Sequence, residues 1–269
     1  MVPPLMTQKN YGKIYLGALI LVFAGLALLR ADLVTGACTS TLASLAAGQG
    51  PRLKVIFEIV LFAFILFLTI RAIPLAADPV TDCLTVLVTS FFGFLAELWG
   101  TQSGLWTYYT GEKPPYWIVP AWALGVLVVE RLARRAGEQP GGVFAKLRSD
   151  NFYRAWVLLF YCVFVPFIAT KLSAPACVLP ILLTAAVLFP GKKHRTRYTR
   201  ILFTGTVCVF FADLWGTTNH CWTYHTQTAS FGTAYGILFG CVFDSAVVLA
   251  GIKTAEYLMQ ISGRTPAGQ

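Results

Sequence analysis

The feature that most constrains the fold of this chain is a thirteen-residue run that occurs twice. Residues 96–108 read AELWGTQSGLWTY and residues 212–224 read ADLWGTTNHCWTY, so eight of thirteen positions are identical at a separation of 116 residues. Chance does not plausibly produce such a run twice. Each copy places an acid, Glu97 or Asp213, near the end of an apolar segment and follows it with a Trp-Thr-Tyr triplet. We therefore expect a duplicated unit in which the two acids are partners.

The composition is that of a polytopic membrane protein. Hydrophobic residues make up 57% and charged residues only 12% of the chain, with a mean hydropathy of +0.66, whereas soluble domains carry about 25% charged residues. A helix needs about 20 apolar residues to cross a bilayer. The sixth of the eight predicted spans is short and contains Pro180. These spans cover roughly residues 13–30, 54–73, 83–102, 115–134, 152–171, 174–190, 199–218 and 232–257.

Basic residues are distributed unevenly between the predicted loops. With eight spans, sixteen Lys and Arg residues fall on the side that holds both termini and five on the other. Because cytoplasmic loops are rich in Lys and Arg, both termini are predicted to be cytoplasmic, in a plasma or inner membrane. This topology accounts for the net charge of +9, so nucleic-acid binding is not expected. An uncleaved first helix is favoured over a signal peptide, because Arg30 and Asp32 follow the apolar core.

The repeat divides the predicted helices into two halves. Helices three and four carry the first copy and helices seven and eight the second. The predicted fold class is thus an all-α membrane bundle of two tandem four-helix repeats in parallel orientation. Residues 1–135 form the first half, 136–151 a cytoplasmic linker, 152–260 the second half and 261–269 a disordered tail. Residues 31–53 are an outer loop, for which a short interfacial helix and a lid are both open.

The helices that carry the two acids present matching stripes. Residues three, four and seven apart share one face of a helix. Gly allows close helix approach in a bilayer, and Ser and Thr can hydrogen-bond across the contact. Both stripes are therefore expected to point inward, so that the acids converge in the outer third of the membrane. The matching positions are Ser90, Phe94, Gly100 and Thr101 around Glu97, and Thr206, Phe210, Gly216 and Thr217 around Asp213.

Glu58, near the outer start of the second predicted helix, adds a third carboxyl group at a similar depth. Three carboxyls in a region of low dielectric cannot all ionise cheaply, so at least one is expected to stay protonated. Such an acid can protonate an isolated carbon–carbon double bond, and aromatic faces stabilise the resulting carbocation. The residues expected to bind the substrate are Trp99, Trp106, Tyr108, Trp215, Trp222, Tyr224, Phe94, Phe210, Ser90 and Thr206.

Simpler interpretations stay open for the same residues. Trp and Tyr concentrate at membrane interfaces, so Trp106, Tyr108, Tyr109, Trp222 and Tyr224 are also candidates for an aromatic belt. The two acids, for their part, are candidates for a buried hydrogen bond that closes a helix pair without any chemistry.

The second copy differs from the first at two histidines. His220 lies seven residues after Asp213 and would face that acid if the helix continued, as a base or a proton relay. With Cys221 and His225 it could instead bind a metal. Three ligands in one loop without a fourth are a weak signal, and no metal site is predicted.

A second acidic pair lies in the fourth and eighth predicted helices, towards the cytoplasmic half. Glu130 is followed by Arg131 and Arg134, which favours a solvated ion pair. Asp244 has no basic neighbour in sequence and is kept as a catalytic candidate.

The spacing Glu97-x-x-Gly100-x-x-x-Gly104-x-x-x-Tyr108, followed by Trp117, Pro120 and Trp122, resembles integral membrane carotenoid-biosynthesis proteins of the hydratase type. It is similar, more distantly, to membrane terpene and lycopene cyclases, which also use paired acids in a helical bundle. The resemblance implies a prenyl or polyene substrate and acid-initiated hydration, cyclisation or isomerisation.

We therefore predict an enzyme, a cyclase, a hydratase of the lyase class or an isomerase, that acts on a membrane-dissolved isoprenoid or other lipid. Its catalytic candidates are Glu97, Asp213, Glu58, His220 and Asp244. Its partners are the lipid-soluble substrate and membrane lipids, and no cofactor is expected. The alternatives are a transporter or channel in which the acids bind a cation or relay protons, and a non-catalytic assembly factor.

Overall fold

A computed structural model of the chain describes residues 8–75, 77–138, 150–170, 174–189, 195–228 and 232–263. The chain forms two compact units, Met1–Ala77 and Asp78–Gln269. The first unit contains α1 (Gln8–Leu29), α2 (Ala31–Ala46) and α3 (Gln49–Ala72). The second contains α4 (Pro79–Gln102), β1 (Trp106–Tyr108), α5 (Val119–Glu138), α6 (Asp150–Ala169), α7 (Ala174–Leu188), α8 (Arg195–Thr218), β2 (Trp222–Tyr224) and α9 (Gly232–Ile261). Single turns of 3-10 helix precede α5 at Tyr116–Ile118 and follow β2 at His225–Thr228.

Within the described residues, seven helices are long and apolar enough to cross a membrane: α1, α3, α4, α5 with its preceding turn, α6, α8 and α9. The chain is therefore a polytopic helical membrane protein, as the composition predicted. The helix at the predicted sixth span, α7, has 15 residues. At 1.5 Å per residue it is about 22 Å long, less than a ~30 Å hydrocarbon core. The count of eight spans stays a prediction.

The first unit fills part of the predicted outer loop with helix. Residues 31–46 form α2, which packs between α1 and α3 and is largely exposed. A short helix was one of the two alternatives open for this segment, and Ala47 and Gly48 join it to α3.

The second unit is built around its last helix. Within the apolar window of α9, 72% of residues are buried, against 33–39% in α4, α5, α6 and α8. This helix packs against α8, α4, α6 and α7. Gly232, Gly236 and Gly240 recur every four residues along it, which creates a groove that lets neighbouring groups approach the backbone closely.

Aromatic rings fill the contact between α9 and α6. The rings of Phe167 and Phe239 stack with centroids 3.7 Å apart, and Phe164 stacks on Phe243 at 5.7 Å. Stacked pairs of this kind contribute about 0.5–1.5 kcal/mol beyond the area they bury. The contact fixes one wall of the bundle interior.

Charged residues meet inside the bundle at the end opposite the strands. Arg131 Nη2 lies 2.5 Å from Asp82 Oδ1 and its Nη1 lies 2.5 Å from Glu130 Oε2, while Arg134 Nη2 lies 2.5 Å from Glu130 Oε1. We call these four residues the buried ion cluster. The predicted pairing of Glu130 with Arg131 and Arg134 is confirmed, but the prediction of a solvated pair was wrong, because Glu130 and Arg131 are buried.

The predicted division at residues 135 and 152 is not tested by these contacts. Most of the predicted linker and tail, residues 139–149 and 264–269, lies outside the described part of the chain. The second compact unit begins at residue 78, where Asp78 caps α4. Its carboxylate accepts a hydrogen bond from Val80 N, and Pro79 occupies the first helical position.

Candidate functional site

Both copies of the repeated run end their helix in the same way. After α4, Leu105 N donates to Gly100 O at 2.9 Å and Gly104 has φ +66°. After α8, Cys221 N donates to Gly216 O at 2.8 Å, and the residue at the Gly104 position has φ +56°. This is a helix C-terminus closed by one residue in the left-handed conformation. Each turn reverses the chain so that the following triplet folds back over the acid.

The two Trp-Thr-Tyr triplets pair with each other. β1 and β2 are antiparallel, with Trp106 opposite Tyr224, Thr107 opposite Thr223, and Tyr108 opposite Trp222. Side chains alternate between the two faces of a strand, so both threonines are exposed while the aromatic residues face the helices. This two-stranded ribbon covers one end of the bundle, which we call the ribbon end.

A glycine next to each acid lets the ribbon lie close to the helices. A Cβ at Gly100 would fall 1.9 Å from the Trp106 ring, and one at Gly216 would fall 2.0 Å from the Trp222 ring. Each indole therefore lies flat on the helix backbone at this position. This contact explains the glycine of the Trp-Gly-Thr segment in each copy.

Each acid accepts hydrogen bonds from its own triplet. Glu97 Oε2 accepts from Trp106 Nε1 and from the Tyr108 hydroxyl, both at 2.9 Å. Asp213 Oδ1 accepts from the Tyr224 hydroxyl at 3.0 Å. These three aromatic residues are therefore buried donors to the acids. Tyr109 does not share this role, since its side chain is 59% exposed.

The two tyrosines are fixed as donors. Burial, with a further contribution from the Glu97 carboxylate, raises the pKa of the Tyr108 phenol well above its usual range. Burial and the Asp213 carboxylate do the same to the pKa of Tyr224. Both phenols therefore keep their protons at any physiological pH and hold the carboxyl oxygens in place.

The acid of the second copy is less satisfied than that of the first. Asp213 is only 3% exposed, and among the described residues no donor is in hydrogen-bonding geometry at its Oδ2, although the Trp222 indole interacts with the same carboxyl. That atom lies against the backbone of α9, where a Cβ at Gly240 would fall 1.8 Å from it. An uncompensated buried oxygen of this kind costs about 1–3 kcal/mol, which makes Asp213 a candidate for proton or ligand binding.

Asp244 on α9 is the third acid of the interior. It interacts electrostatically with Asp213 and Glu97, and no described side chain donates a hydrogen bond to it. It is half-buried, and it lines the same cavity as the other two acids. Its carboxyl group is available to a bound molecule.

The three acids surround a cavity of about 190 Å³. Its walls come from α4, α5, α8, α9 and the ribbon. Apart from the acids and the tyrosine hydroxyls, the lining is almost entirely apolar or aromatic. The predicted site residues on its wall are Glu97, Asp213, Asp244, Trp106, Tyr108, Trp222 and Tyr224.

The other predicted aromatic and hydroxyl residues of this unit do not line the cavity. Phe210, expected to point inward, is 43% exposed. At 100° per residue, a position three before the acid lies about 60° away from it around the helix, which is enough to turn the ring outward. Phe94 stacks on Tyr116 with centroids 5.9 Å apart. The remaining members of this set are Ser90, Thr206, Trp99 and Trp215.

His220 does not face the acids. Helix α8 ends at Thr218, so the helix continuation that would have aligned His220 with Asp213 is absent. His220 is exposed and occupies the left-handed position of the turn. His225 uses both ring nitrogens in other contacts, to Thr170 Oγ1 at 2.8 Å and Leu105 O at 3.0 Å. Within the described residues, no three His, Cys, Asp or Glu side chains form a metal-binding group.

Replacing His220 by Gly is expected to stabilise the protein. A residue with a Cβ costs roughly 1–2 kcal/mol in the left-handed conformation. Glycine avoids this cost, but it loses more conformational entropy on folding, which offsets part of the gain. We expect a gain of up to about 1 kcal/mol in the free energy of unfolding, measured in detergent, with turnover unchanged. A loss of turnover in a stable His220→Gly protein would instead support the proton relay. Gly104→His, the reverse exchange in the first copy, is expected to destabilise by a similar amount.

Glu58 belongs to the first unit, on α3. It is half-buried and lies 3.6 Å from Lys54 through an ion pair one helical turn away. Its catalytic role stays a prediction.

Trp122 belongs to the motif that carries the resemblance, but it was not predicted as a site residue. It lines the cavity from α5, and its indole reaches the Glu97 carboxyl. A Cβ at Gly93 would fall 2.3 Å from its ring, so Trp122 packs flat on α4. The four-residue glycine spacing of α9 was a second missed signal, and it marks the helix face that Asp213 and Tyr224 approach.

The site must be understood from these contacts alone. No family model matches the sequence, and no curated protein or solved structure matches it.

Proposed function

We propose that the chain is an integral membrane enzyme that begins its reaction by protonating a carbon–carbon double bond of an isoprenoid or polyene lipid. One observation carries the proposal: three carboxyl groups share an otherwise apolar and aromatic cavity, and one of them, Asp213, has an oxygen with no donor in hydrogen-bonding geometry among the described residues. Ionisable groups at membrane depth are costly and usually functional. A concave apolar site with a few converging polar groups is the usual form of a small-molecule site.

The hydrogen bonds suggest different roles for the acids. Glu97 accepts two hydrogen bonds on one oxygen, and such donors offset part of the cost of burying a carboxylate, so we assign Glu97 the role of base. Asp213 and Asp244, with fewer donors, are the proton source. A proton from this pair adds to one carbon of the double bond and leaves a carbocation on the other. The cation then loses a proton to Glu97, giving an isomer or a ring, or it captures water, which releases a proton and gives an alcohol.

The aromatic walls suit the intermediate. The Trp106, Trp222 and Phe239 rings line the cavity, and an aromatic face stabilises a nearby cation by about 0.5–2 kcal/mol. The cavity volume of about 190 Å³ is below the ~300–1,000 Å³ of sites that enclose a whole drug-sized ligand. We therefore propose that only the end of the lipid enters the cavity, which suits cyclisation or hydration at a terminal double bond.

We also propose that the chain consists of two tandem parallel halves of four helices each, joined by residues 136–151, with both termini cytoplasmic in a plasma or inner membrane. The matching helix ends, acid contacts and ribbon pairing of the two copies support the duplication. The uneven distribution of basic residues supports the orientation.

The proposed substrate class can be tested by identifying the lipids that copurify with the protein. We expect a prenyl or polyene lipid with the wild-type protein. Gly125 lines the cavity and has open space at its Cβ position, so Gly125→Phe should fill the cavity and displace this lipid. Leu158→Phe, on an exposed position of α6, is the matched control and should retain it. Phospholipids alone, together with Glu97-dependent proton flux in proteoliposomes, would assign the protein to transport instead.

A further inference from the structure

The cavity reaches the protein surface between two helices. Among the residues that line it, only Ala121 on α5 and Ala212 on α8 are exposed. Gly125 and Cys208, deeper on the same two helices, are half-buried. The opening is therefore bordered by small side chains of α5 and α8.

The opening lies within apolar stretches of both helices. Ala212 is six residues before the last residue of α8, which places it about 9 Å from that helix end. Residues 119–129 of α5 and 203–212 of α8 contain no charged side chain. An aqueous ligand would meet neither a charge nor a polar rim at this point, whereas a hydrocarbon chain would meet a surface like its own surroundings.

Behind the opening lies a group that requires a partner. Asp213 is almost completely buried, and among the described residues no donor is in hydrogen-bonding geometry at its Oδ2. Phe239 and Val248 form the back wall on α9, and both are almost completely buried. Together these residues describe a blind, apolar chamber with an acid on its wall.

We propose that the gap between α5 and α8 is a lateral portal through which the uncharged end of a lipid chain passes from the bilayer to the acids. That the entering lipid is an isoprenoid rests on the proposed function, whereas the route itself does not depend on it. Because the portal offers no partner for a phosphate or other charged headgroup, the substrate inserts tail-first. Any polar end of the molecule stays outside, near the ribbon end of the bundle.

Carbene labelling in liposomes tests the route without requiring turnover. An apolar aryl diazirine that dissolves in the bilayer should insert into Phe239 and Val248, as mass spectrometry of the labelled peptides would show. Its sulfonated, water-soluble analogue should not. Ala121→Trp with Ala212→Trp should reduce labelling of both back-wall residues several-fold, while labelling of the lipid-facing Leu158 stays constant. Leu158→Trp is the matched control and should leave Phe239 and Val248 labelled.

Three outcomes would overturn the portal. These are labelling of the back wall by the charged reagent, unchanged labelling in the double tryptophan variant, and no labelling by either reagent. If the variant with both tryptophans does not fold, Ala121→Leu with Ala212→Leu gives the same comparison with a smaller effect. Protection of Val248 by farnesol but not by dodecanol would support the isoprenoid as occupant. Equal protection by both would retain the route and count against the proposed substrate.

Discussion

Replacing Asp213 by Asn is expected to lower turnover of the copurifying lipid by about 10²–10⁴-fold, the usual contribution of a positioned general acid. Asn has the shape of Asp, and its Oδ1 can still accept the hydrogen bond that the Tyr224 hydroxyl makes at 3.0 Å. It cannot supply a proton to a double bond. The fold should therefore persist while the chemistry stops, as a comparison of thermal unfolding and initial rates would show.

The second acid of the proposed pair gives an independent check. Asp244→Asn should lower turnover to a similar extent, because Asp244 lines the same cavity and interacts with Asp213. Glu138→Gln is the control for a carboxyl-to-amide change, since Glu138 is exposed and lies 4.0 Å from Arg135 through a surface ion pair. Full activity of both aspartate variants would remove the proposed mechanism. Loss of activity only in Glu97→Gln would reverse the assignment of the proton donor.

Replacing Arg131 by Met is expected to destabilise the protein by about 3–5 kcal/mol. The side chain of Arg131 is 2% exposed, and its guanidinium contacts both Asp82 and Glu130. Removing it leaves the Asp82 carboxylate buried without its partner, and an unpaired buried charge is far more costly than the ion pair is stabilising. The free energy of unfolding in detergent is the quantity to measure.

A matched control lies one turn along the same helix. Arg135 is 64% exposed and its ion pair with Glu138 spans 4.0 Å, so Arg135→Met should change stability by no more than about 1 kcal/mol. Combining Arg131→Met with Asp82→Asn should recover part of the lost stability, because the orphaned charge is then removed. Equal effects of the Arg131 and Arg135 substitutions would show that the buried ion cluster does not stabilise the fold.

The convergence of the acids could be predicted because the repeat carries its own geometry. Residues of the same type precede and follow Glu97 and Asp213. If the two copies pack against each other, their matching helix faces bring the two acids together. Asp244 was retained for a simpler reason: an aspartate in a buried helix without a basic neighbour needs another partner.

Other features could not be read from local spacing. Asp82 and Arg131 are 49 residues apart, and neither residue shows in its own segment that it will be buried. The pairing of the two triplets into a ribbon joins segments that each look like interfacial anchors. Helical periodicity placed Phe210 on the inner face, but the actual rotation of α8 turns it outward. The prediction that His220 faces Asp213 was wrong because the helix ends at Thr218, two residues before His220.

The proposed function requires a carboxyl of the cavity to deliver a proton to carbon. This transfer can be followed by exchanging the protein into D₂O, adding the prenyl or polyene lipid, and analysing the product of a single turnover by mass spectrometry. We predict one deuterium bound to carbon at the protonated end of the lipid, and product formation about 10²–10⁴-fold slower in Asp213→Asn. A product that carries no carbon-bound deuterium would contradict the claim.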